Sequence, residues 1–315
     1  MLATTIRLRA RQRFWPATTR WRVLSALILA AVLFCGGAVT VALARGTGRP
    51  GTGAANGGQP AGGAITAAAA ARTAAAAWLG RQVAPAAIVA CDPQMCAVLQ
   101  SQGIPAGRLL QLGAGNAGNA GPLGSDVIVS TAAVREEFGS RLTSVYAPVT
   151  LATFGSGSAQ VAVRAVAADG SAAYLRSLHA DAAARRAVGA LLLRNPHLRV
   201  PPAARPALAA GQVDARLLSV IGALATLDHI DIAGFGAPAA GASPDVPLRW
   251  ADISPGPAGR GRHAATLDSV RRFLLAQQAP FRPADVTTVR LASGQTVLHV
   301  EFTAPSPLGL LGAPN

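Results

Sequence analysis

Cys91 and Cys96 are the residues whose type and spacing most directly indicate chemistry, because they flank an Asp-Pro turn in CDPQMC. A zinc site would need two further ligands at suitable spacing, and neither a second cysteine pair nor a histidine pair follows. A thioredoxin-type redox pair would have two intervening residues, whereas four separate these cysteines. We therefore favour a structural disulfide, contributing about 2 kcal/mol in the chain-entropy model, over free thiols, metal binding or redox chemistry.

An imidazole, an acid and a base are expected to converge in one place, at Arg290, His299 and Glu301. These residues occupy two segments of alternating polarity, 285–292 and 296–303, around an SGQ turn, which is typical of a β-hairpin. The residues expected on the covered face of the hairpin are Val289, Leu291, Leu298, Val300 and Phe302. Surface salt bridging explains the polar cluster equally well, so it is a candidate site only.

A second candidate is the loop PGPAGRGRH, residues 255–263, which carries Arg260, Arg262 and His263. Such a flexible basic loop would contact an acidic polymer, such as teichoic acid, or a lipid headgroup. The alternative is an ordinary solvated loop.

Three further groups of polar residues favour structural interpretations. Asp228, His229 and Asp231 in LDHID could begin a metal site or an acid–base pair, but a helix C-terminus with His229 near its negative end is favoured. Glu136 and Glu137 are adjacent on a predicted helix and point to different sides, which indicates a solvated surface. Ser156 and Ser158 lie in a predicted hairpin turn, and no base is placed beside them.

No recognised catalytic or cofactor motif is present in the sequence. GAGNAG, residues 113–118, resembles a dinucleotide-binding glycine loop, but no helix is predicted to start after it. A nucleophile elbow, a phosphate loop and a zinc-protease helix are also absent from the sequence. We therefore assign no catalytic residue, no cofactor and no metal.

Strands and helices alternate in the first half of the chain, which predicts an α/β layer with a partly parallel sheet. The expected strands are 86–91, 107–113 and 126–131, the expected helices are 93–103 and 132–142, and a hairpin at 149–155 and 159–167 closes the sheet. A helix over 171–195 follows, with Ser171 as its N-cap. Residues 195–206 contain four prolines and mark a boundary between the two halves.

The second half is expected to be α+β. Its predicted elements are a helix at 213–229, strands at 230–236 and 246–254, an amphipathic helix at 263–278 and the hairpin described above. The expected folded domains are 65–195 (α/β) and 196–304 (α+β), followed by an extended tail, 305–315. The predicted fold class is thus α/β to α+β, a mixed-sheet ectodomain in two halves.

The N-terminus predicts a membrane anchor. All 28 basic residues are arginine, and six of them lie in residues 1–22, which contain no acid. Residues 23–44 are apolar and uncharged, and as a helix they would extend about 33 Å, enough to cross a bilayer. The positive-inside rule places the arm, 1–22, in the cytoplasm and the main body outside. Residues 45–64, rich in glycine and alanine, are expected to be a flexible linker.

A signal peptide cleaved after Ala44 is the alternative to an anchor, because residues 42–44 fit the small-x-small pattern. The apolar run is longer than a usual signal peptide, so we favour a single uncleaved transmembrane helix. The basic arm is then a topology signal next to anionic lipid rather than a nucleic-acid-binding tail. Cys35 would be an apolar filler of that helix. The arm is too short for a signalling domain, which disfavours a transmembrane receptor.

The stretch AAAAWLGRQVAPAAIVACDPQMCAVLQSQGIPAGRLL carries a resemblance. A helix containing Trp78 precedes a short strand that ends at Asp92, a pattern that resembles extracytoplasmic α/β domains of some actinobacterial membrane glycosyltransferases. The resemblance covers residues 74–131. It implies an exported α/β domain, but the multi-span catalytic core of those enzymes is absent here, so it implies no activity. The whole chain resembles actinobacterial membrane-anchored secreted proteins.

These observations favour a single-pass envelope protein whose extracytoplasmic body binds or scaffolds a partner. The expected partners are the lipid bilayer, through residues 23–44, and either a membrane protein or an anionic wall polymer; nucleic acid is not expected. The alternative is an enzyme that acts on cell-wall glycan or a lipid-linked sugar, with its site assembled from distant residues.

Overall fold

Two five-stranded mixed sheets, one in each half of the chain, organise the structure. The computed structural model describes residues 61–113, 121–236, 240–257 and 266–312. The predicted arm, membrane span and most of the predicted linker lie outside the described residues, as does the loop segment that holds Arg260, Arg262 and His263. No helix in the described part of the chain combines the length and hydropathy needed to cross a membrane.

The first sheet has the predicted mixed topology. Its strands are β1 (Val89–Cys91), β2 (Leu109–Gln111), β3 (Val127–Ser130), β4 (Val149–Phe154) and β5 (Val161–Ala165). They lie in the order β2-β1-β3-β5-β4. β1 pairs in parallel with β2 and β3, whereas β5 is antiparallel to both β3 and β4. The predicted parallel strands and the closing hairpin are therefore confirmed.

Helices cover both faces of the first sheet. The helices of this half are α1 (Ala61–Gln82), α2 (Pro93–Ser101), α3 (Ala132–Phe138) and α4 (Ser171–Leu192). α1 and α2 bury Trp78 and Met95 against one face, and α3 buries Val134 against the other. Alternation along β3 sends Val127 into the first of these cores and Ile128 into the second.

The second sheet is also mixed, with helices packed on one of its faces. Its strands are β6 (Leu198–Arg199), β7 (Ile230–Gly236), β8 (Trp250–Pro255), β9 (Asp285–Arg290) and β10 (Thr296–Glu301), in the order β6-β7-β8-β10-β9. Its helices are α5 (Arg205–Ala209), α6 (Ala215–Leu227) and α7 (Leu267–Leu275). α6 and α7 bury Ile221 and Leu274 against one face of the sheet, where they meet Leu298 and Val300.

Three details differ from the sequence-based expectations. Residues 195–206 do not only separate the two halves of the chain. They also contain β6, which pairs in parallel with β7. Gly170, with φ of 87°, is the N-cap residue of α4, so Ser171 is the first helical residue rather than the cap. Helix α1 begins at Ala61, inside the predicted linker, although Gly62 and Gly63 in its first turn are poor helix formers.

The predicted hairpin is present, but its two strands pair in a different phase. Val300 pairs with Val286, and Val297 pairs with Val289. Val289 therefore lies on the face opposite Leu298 and is 38% exposed, whereas Val286 is buried. A one-residue change of phase exchanges the two faces of a strand, so the prediction that Val289 faces the core is wrong.

Segments of the second half contact the first. The core of the first sheet includes Val246 and Ala304. The backbone N–H of Ala304 donates to the carbonyl of Gln82 (2.6 Å), and the N–H of Ala84 donates to the carbonyl of Ala304 (3.2 Å). The described residues fall into one unit by their contacts. The two sheets follow the two predicted domains, and the division into two domains stays a prediction.

Candidate functional site

A row of polar side chains runs across the face of the second sheet that α6 and α7 leave uncovered. β8 and β10 are antiparallel neighbours, with Asp252 opposite His299 and Trp250 opposite Glu301. Alternation along both strands directs these four side chains away from the helices, while Ala251, Ile253, Leu298 and Val300 point toward the core. The sheet register therefore brings together a carboxylate pair, an imidazole and an indole from distant parts of the sequence.

His299 and Asp252 form the closest polar pair of this row. Nδ1 of His299 lies 2.8 Å from Oδ1 of Asp252. The two side chains are 26% and 13% exposed. Because a carboxylate accepts hydrogen bonds and does not donate them, Nδ1 donates in this pair, and in the neutral form of the ring Nε2 is left as an acceptor. Asp252 thus fixes both the orientation and the tautomer of the imidazole.

Trp250 lies beside this pair, and the position of its indole requires a glycine on the neighbouring strand β7. The indole and imidazole ring centroids of Trp250 and His299 are 5.0 Å apart. A Cβ atom added to Gly236 on β7 would meet Cζ2 of Trp250 at 2.4 Å, so the indole lies directly over this glycine. Gly236 therefore makes room for the ring on the surface of the sheet.

Glu301 is connected to the other half of the chain through an amide. Nε2 of Gln82, at the end of α1, donates to Oε1 of Glu301 (2.8 Å). Oε1 of the same glutamine accepts from a terminal nitrogen of Arg249 (3.1 Å). Gln82 is buried, and so is Arg249, whose pKa is lowered to about 10 by burial. The nearby charges of Asp214 and Glu301 favour its protonated form, and Arg216 opposes it.

The structure brings together two of the three hairpin residues singled out in the sequence. His299 and Glu301 share one face of β10. Arg290 pairs with Thr296 and therefore lies on the opposite face, where it is exposed. Arg290 does not belong to the polar row, because the register of β9 differs by one residue from the expected phase.

The interpretation of LDHID as a helix end is consistent with the structure: α6 ends at Leu227, and Asp228 is its C-cap residue. The ring of His229 lies 4.5 Å from that of His197, a neighbour that the sequence did not indicate. Nδ1 of His229 is 3.9 Å from Oδ1 of Asp228. Within the described ranges, no group of three or more His, Cys, Asp or Glu residues is arranged to hold a metal ion.

The carboxyl ends of β1 and β3 form a topological switch point, where open α/β sheets usually bind ligands. Here Asp92 fills that position. Its carboxylate accepts from the N–H of Met95 at the start of α2 (2.9 Å) and from the hydroxyl of Thr131. Thr131 in turn accepts from the N–H of Val134 and caps α3. A protein carboxylate therefore occupies the place where an anionic ligand would meet the helix N-terminus.

The disulfide predicted from CDPQMC is present at the same end of the sheet. Cys91 and Cys96 are joined, with their Cα atoms 5.4 Å apart. Both residues are buried in the core of the first sheet. The bond closes the turn between β1 and α2, as expected for a structural disulfide.

The remaining polar candidates have surface positions. Glu136 and Glu137 are exposed on α3, and Ser156 and Ser158 are exposed between β4 and β5.

No protein-family model, no curated protein and no solved structure matches this chain.

Asp252 is the functional candidate that sequence reasoning missed. The alternation of Trp250, Asp252 and Ser254 with Ala251 and Ile253 was visible in the sequence and marks a strand with one polar face. The sequence did not show that β8 lies beside β10, so the partner of His299 was not identifiable from it.

Proposed function

We propose that the chain is a membrane-anchored, extracytoplasmic binding protein of the cell envelope, and that it binds a neutral glycan on the face of the second sheet opposite α6 and α7. The observation that carries the binding role is the row of Trp250, Asp252, His299 and Glu301. Its carboxylates and the imidazole Nε2 accept hydrogen bonds, and sugar hydroxyls donate them. The indole adds apolar ring surface beside these acceptors.

The charge of this face favours a neutral ligand over an anionic one. Asp231, Asp252, Asp285 and Glu301 all lie on it by the register of their strands. Arg199, paired with Asp231, lies on it too, so four carboxylates outweigh one guanidinium and would repel a polyanion. The expected binding of an anionic wall polymer through Arg260, Arg262 and His263 stays a prediction, since those residues lie outside the described ones. A membrane-protein partner stays a prediction as well.

The extracytoplasmic location is supported by two independent features. The Cys91–Cys96 disulfide is of a kind that persists in oxidising compartments. The arginine-rich arm and the uncharged apolar segment, 23–44, have the composition of an N-in signal anchor. The resemblance of residues 74–131 to exported domains agrees with this assignment.

An enzyme acting on the same glycan, or on a lipid-linked sugar, is the second candidate. The observation that favours it is the His299–Asp252 hydrogen bond, because an imidazole oriented by a carboxylate is the usual arrangement of a general base. Glu301 lies two residues further along the same strand and would supply an acid group.

The glycan proposal predicts that Asp252→Asn weakens ligand binding tenfold or more, because the amide no longer fixes the His299 tautomer and accepts more weakly. The measurement is a calorimetric titration of the purified full-length protein with neutral hexose and N-acetylhexosamine oligomers. Glu136→Gln removes an exposed carboxylate far from the row along the chain and serves as the control. Equal affinities in all three proteins, or no saturable binding by the unmodified protein, would contradict the proposal.

The same titration separates the two candidates. Binding without change in the oligomer supports a binding protein. Shortened oligomers in the recovered sample, abolished by His299→Gln, would identify an enzyme instead.

A further inference from the structure

A small cleft lies where the C-terminal segment meets both halves of the chain. Leu151 from β4, Leu178 from α4, and Val246 and Leu308 contribute apolar walls, and Arg249 lines the same cleft. The cleft is small: its cavity volume is about 20 Å³, little more than a water molecule needs, and one side of it is open to solvent. The cleft is separate from the polar row of the second sheet, since none of the row's residues lines it.

Arg249 is unusual among the buried arginines of the described residues. Arg185 and Arg216 are also buried, and each has its own carboxylate within 2.8 Å, Asp181 and Asp214 respectively. Arg249 is the most buried of the three, at 1% exposure, yet no described carboxylate lies within ion-pairing distance of it. A buried cation without a direct counter-ion is costly, so an additional anionic group is the simplest compensation.

The hydrogen bonds of Arg249 are also incomplete. A guanidinium has five N–H donors, and the contact with Gln82 uses one of them. The Nε–H is buried and has no partner. The guanidinium carbon lies 5.9 Å from the centroid of Trp78, whose indole N–H is likewise buried and unpaired. Both unpaired groups are donors, so what this region lacks is an acceptor.

Tyr174 adds a hydroxyl to the lining of the cleft. Burial, and secondarily the charge of Asp181, raise the pKa of this phenol, so it stays protonated and can donate. Burial lowers the pKa of Arg249 only to about 10, so the guanidinium is charged at neutral pH. The cleft therefore offers a cationic donor and a neutral donor among apolar walls.

We propose that this cleft binds an oxyanion, a carboxylate or phosphate group, through Arg249. A guanidinium matches two oxygens of such a group with parallel N–H donors. The apolar walls formed by Leu151, Leu178 and Val246 would hold a short substituent of the anion. Asp245, exposed at the lining, disfavours a polyanion and restricts the ligand to one anionic group. This proposal does not depend on the glycan site.

The test is a calorimetric titration of the purified full-length protein at constant ionic strength with three probes: inorganic phosphate, acetate and dimethyl phosphate. Arg249→Gln removes the charge, and Arg290→Gln removes the same charge from an exposed position of the same sheet. Leu178→Trp fills the cleft and leaves Arg249 unchanged, so it decides the matter if Arg249→Gln does not fold. We expect saturable binding in the unmodified protein and in Arg290→Gln, weakened tenfold or more in the other two variants.

Equal affinities in all four proteins would overturn the proposal, because exposed arginines would then account for binding. Absence of saturable binding for all three probes would also overturn the proposal. A buried water would then be the remaining hydrogen-bond partner for Arg249. If dimethyl phosphate binds at least as tightly as inorganic phosphate, the natural source is a phosphodiester of a lipid or polymer. If acetate or inorganic phosphate alone binds, the source is a free small anion or a carboxylate.

Discussion

Asp214 is fully buried at the start of α6, and its environment decides its charge. Burial alone would raise the pKa of this carboxyl. The hydrogen bonds and charge of Arg216, together with the Ser306 hydroxyl, outweigh burial and hold the pKa below its ordinary value. Arg216 donates from Nε (2.9 Å) and from a terminal nitrogen (2.7 Å), and Ser306 donates at 2.6 Å. Asp214 is therefore an ionised carboxylate that folding stabilises.

Replacing Asp214 by Asn is expected to lower the free energy of unfolding by about 3–5 kcal/mol at pH 7, because Arg216 is left buried without its partner. The folded pKa of Asp214 is lower than the unfolded one, about 3.9, so its contribution is complete above that pH and is lost below it. The difference between the two proteins should then narrow as the pH falls below about 4.

Urea unfolding curves at a series of pH values would measure this difference. Asp268→Asn, an exposed carboxylate on α7, is the control and should stay within about 0.5 kcal/mol of the unmodified protein throughout. A gap between the Asp214 variant and the unmodified protein that stays constant down to pH 3 would show that Asp214 is not the titrating group.

At the residue scale, the sequence indicated which side chains could bind a ligand or transfer a proton, but not which of them lie in contact with one another. His299 and Glu301 were identified because they alternate with apolar residues on one strand. Asp252 and Gln82 were not, because their contacts with this strand arise from the pairing of distant segments. Tertiary pairing, unlike local alternation, leaves no signal in a single sequence.

At the element scale, the crossing of α4 and α5 depends on one glycine. A Cβ atom at Gly189 would meet the carbonyl oxygen of Leu208 at 2.1 Å, so the two helices approach each other through the space that a side chain would fill. At Gly222 in α6, an added Cβ would have only an ordinary contact of 3.7 Å with Leu192.

These two helical glycines give a matched prediction. Gly189→Ala should destabilise the protein by about 1–3 kcal/mol or more, because backbone must move to admit the methyl group. Gly222→Ala should be neutral or stabilising by up to about 1 kcal/mol, since it lowers the entropy of the unfolded chain without a clash. Thermal or urea unfolding measures both, and equal effects at the two positions would show that α4 and α5 do not approach as closely as described.

The elements themselves were largely predictable, and the misses have local physical causes. The second hairpin and the helices α6 and α7 follow strong periodicity, whereas α2 was identified from the glycine that ends it, Gly103, and the first hairpin from its SGS turn. β6 has two residues and lies among prolines, so no period exists to detect. The phase of β9 was misjudged because Val286 and Val289 are three positions apart and each fits one of the two faces.

At the scale of the whole molecule, the proposed location can be tested in intact cells. We expect a membrane-impermeant maleimide, added to intact cells, to label Cys91 and Cys96 only after a reductant and a denaturant have also been added to the medium. The disulfide and its burial otherwise protect both thiols. The double variant Cys91→Ser/Cys96→Ser is the control for labelling elsewhere in the chain. Labelling of both thiols without reduction would contradict the disulfide in the cell. Labelling that requires membrane lysis would contradict the extracytoplasmic location.

The contact of Ala304 with Gln82 and Ala84 has a consequence for the order in which the protein folds. A chain that crosses a membrane with its N-terminal anchor first delivers the first sheet to the far side well before the second. The first sheet's core nevertheless includes Val246 and Ala304. If the chain is exported as we propose, that half stays incomplete, with part of its apolar surface open to water, until almost the entire chain has been translocated. The half that is translocated first could then complete its core only after residues near the C-terminus, such as Ala304, had followed.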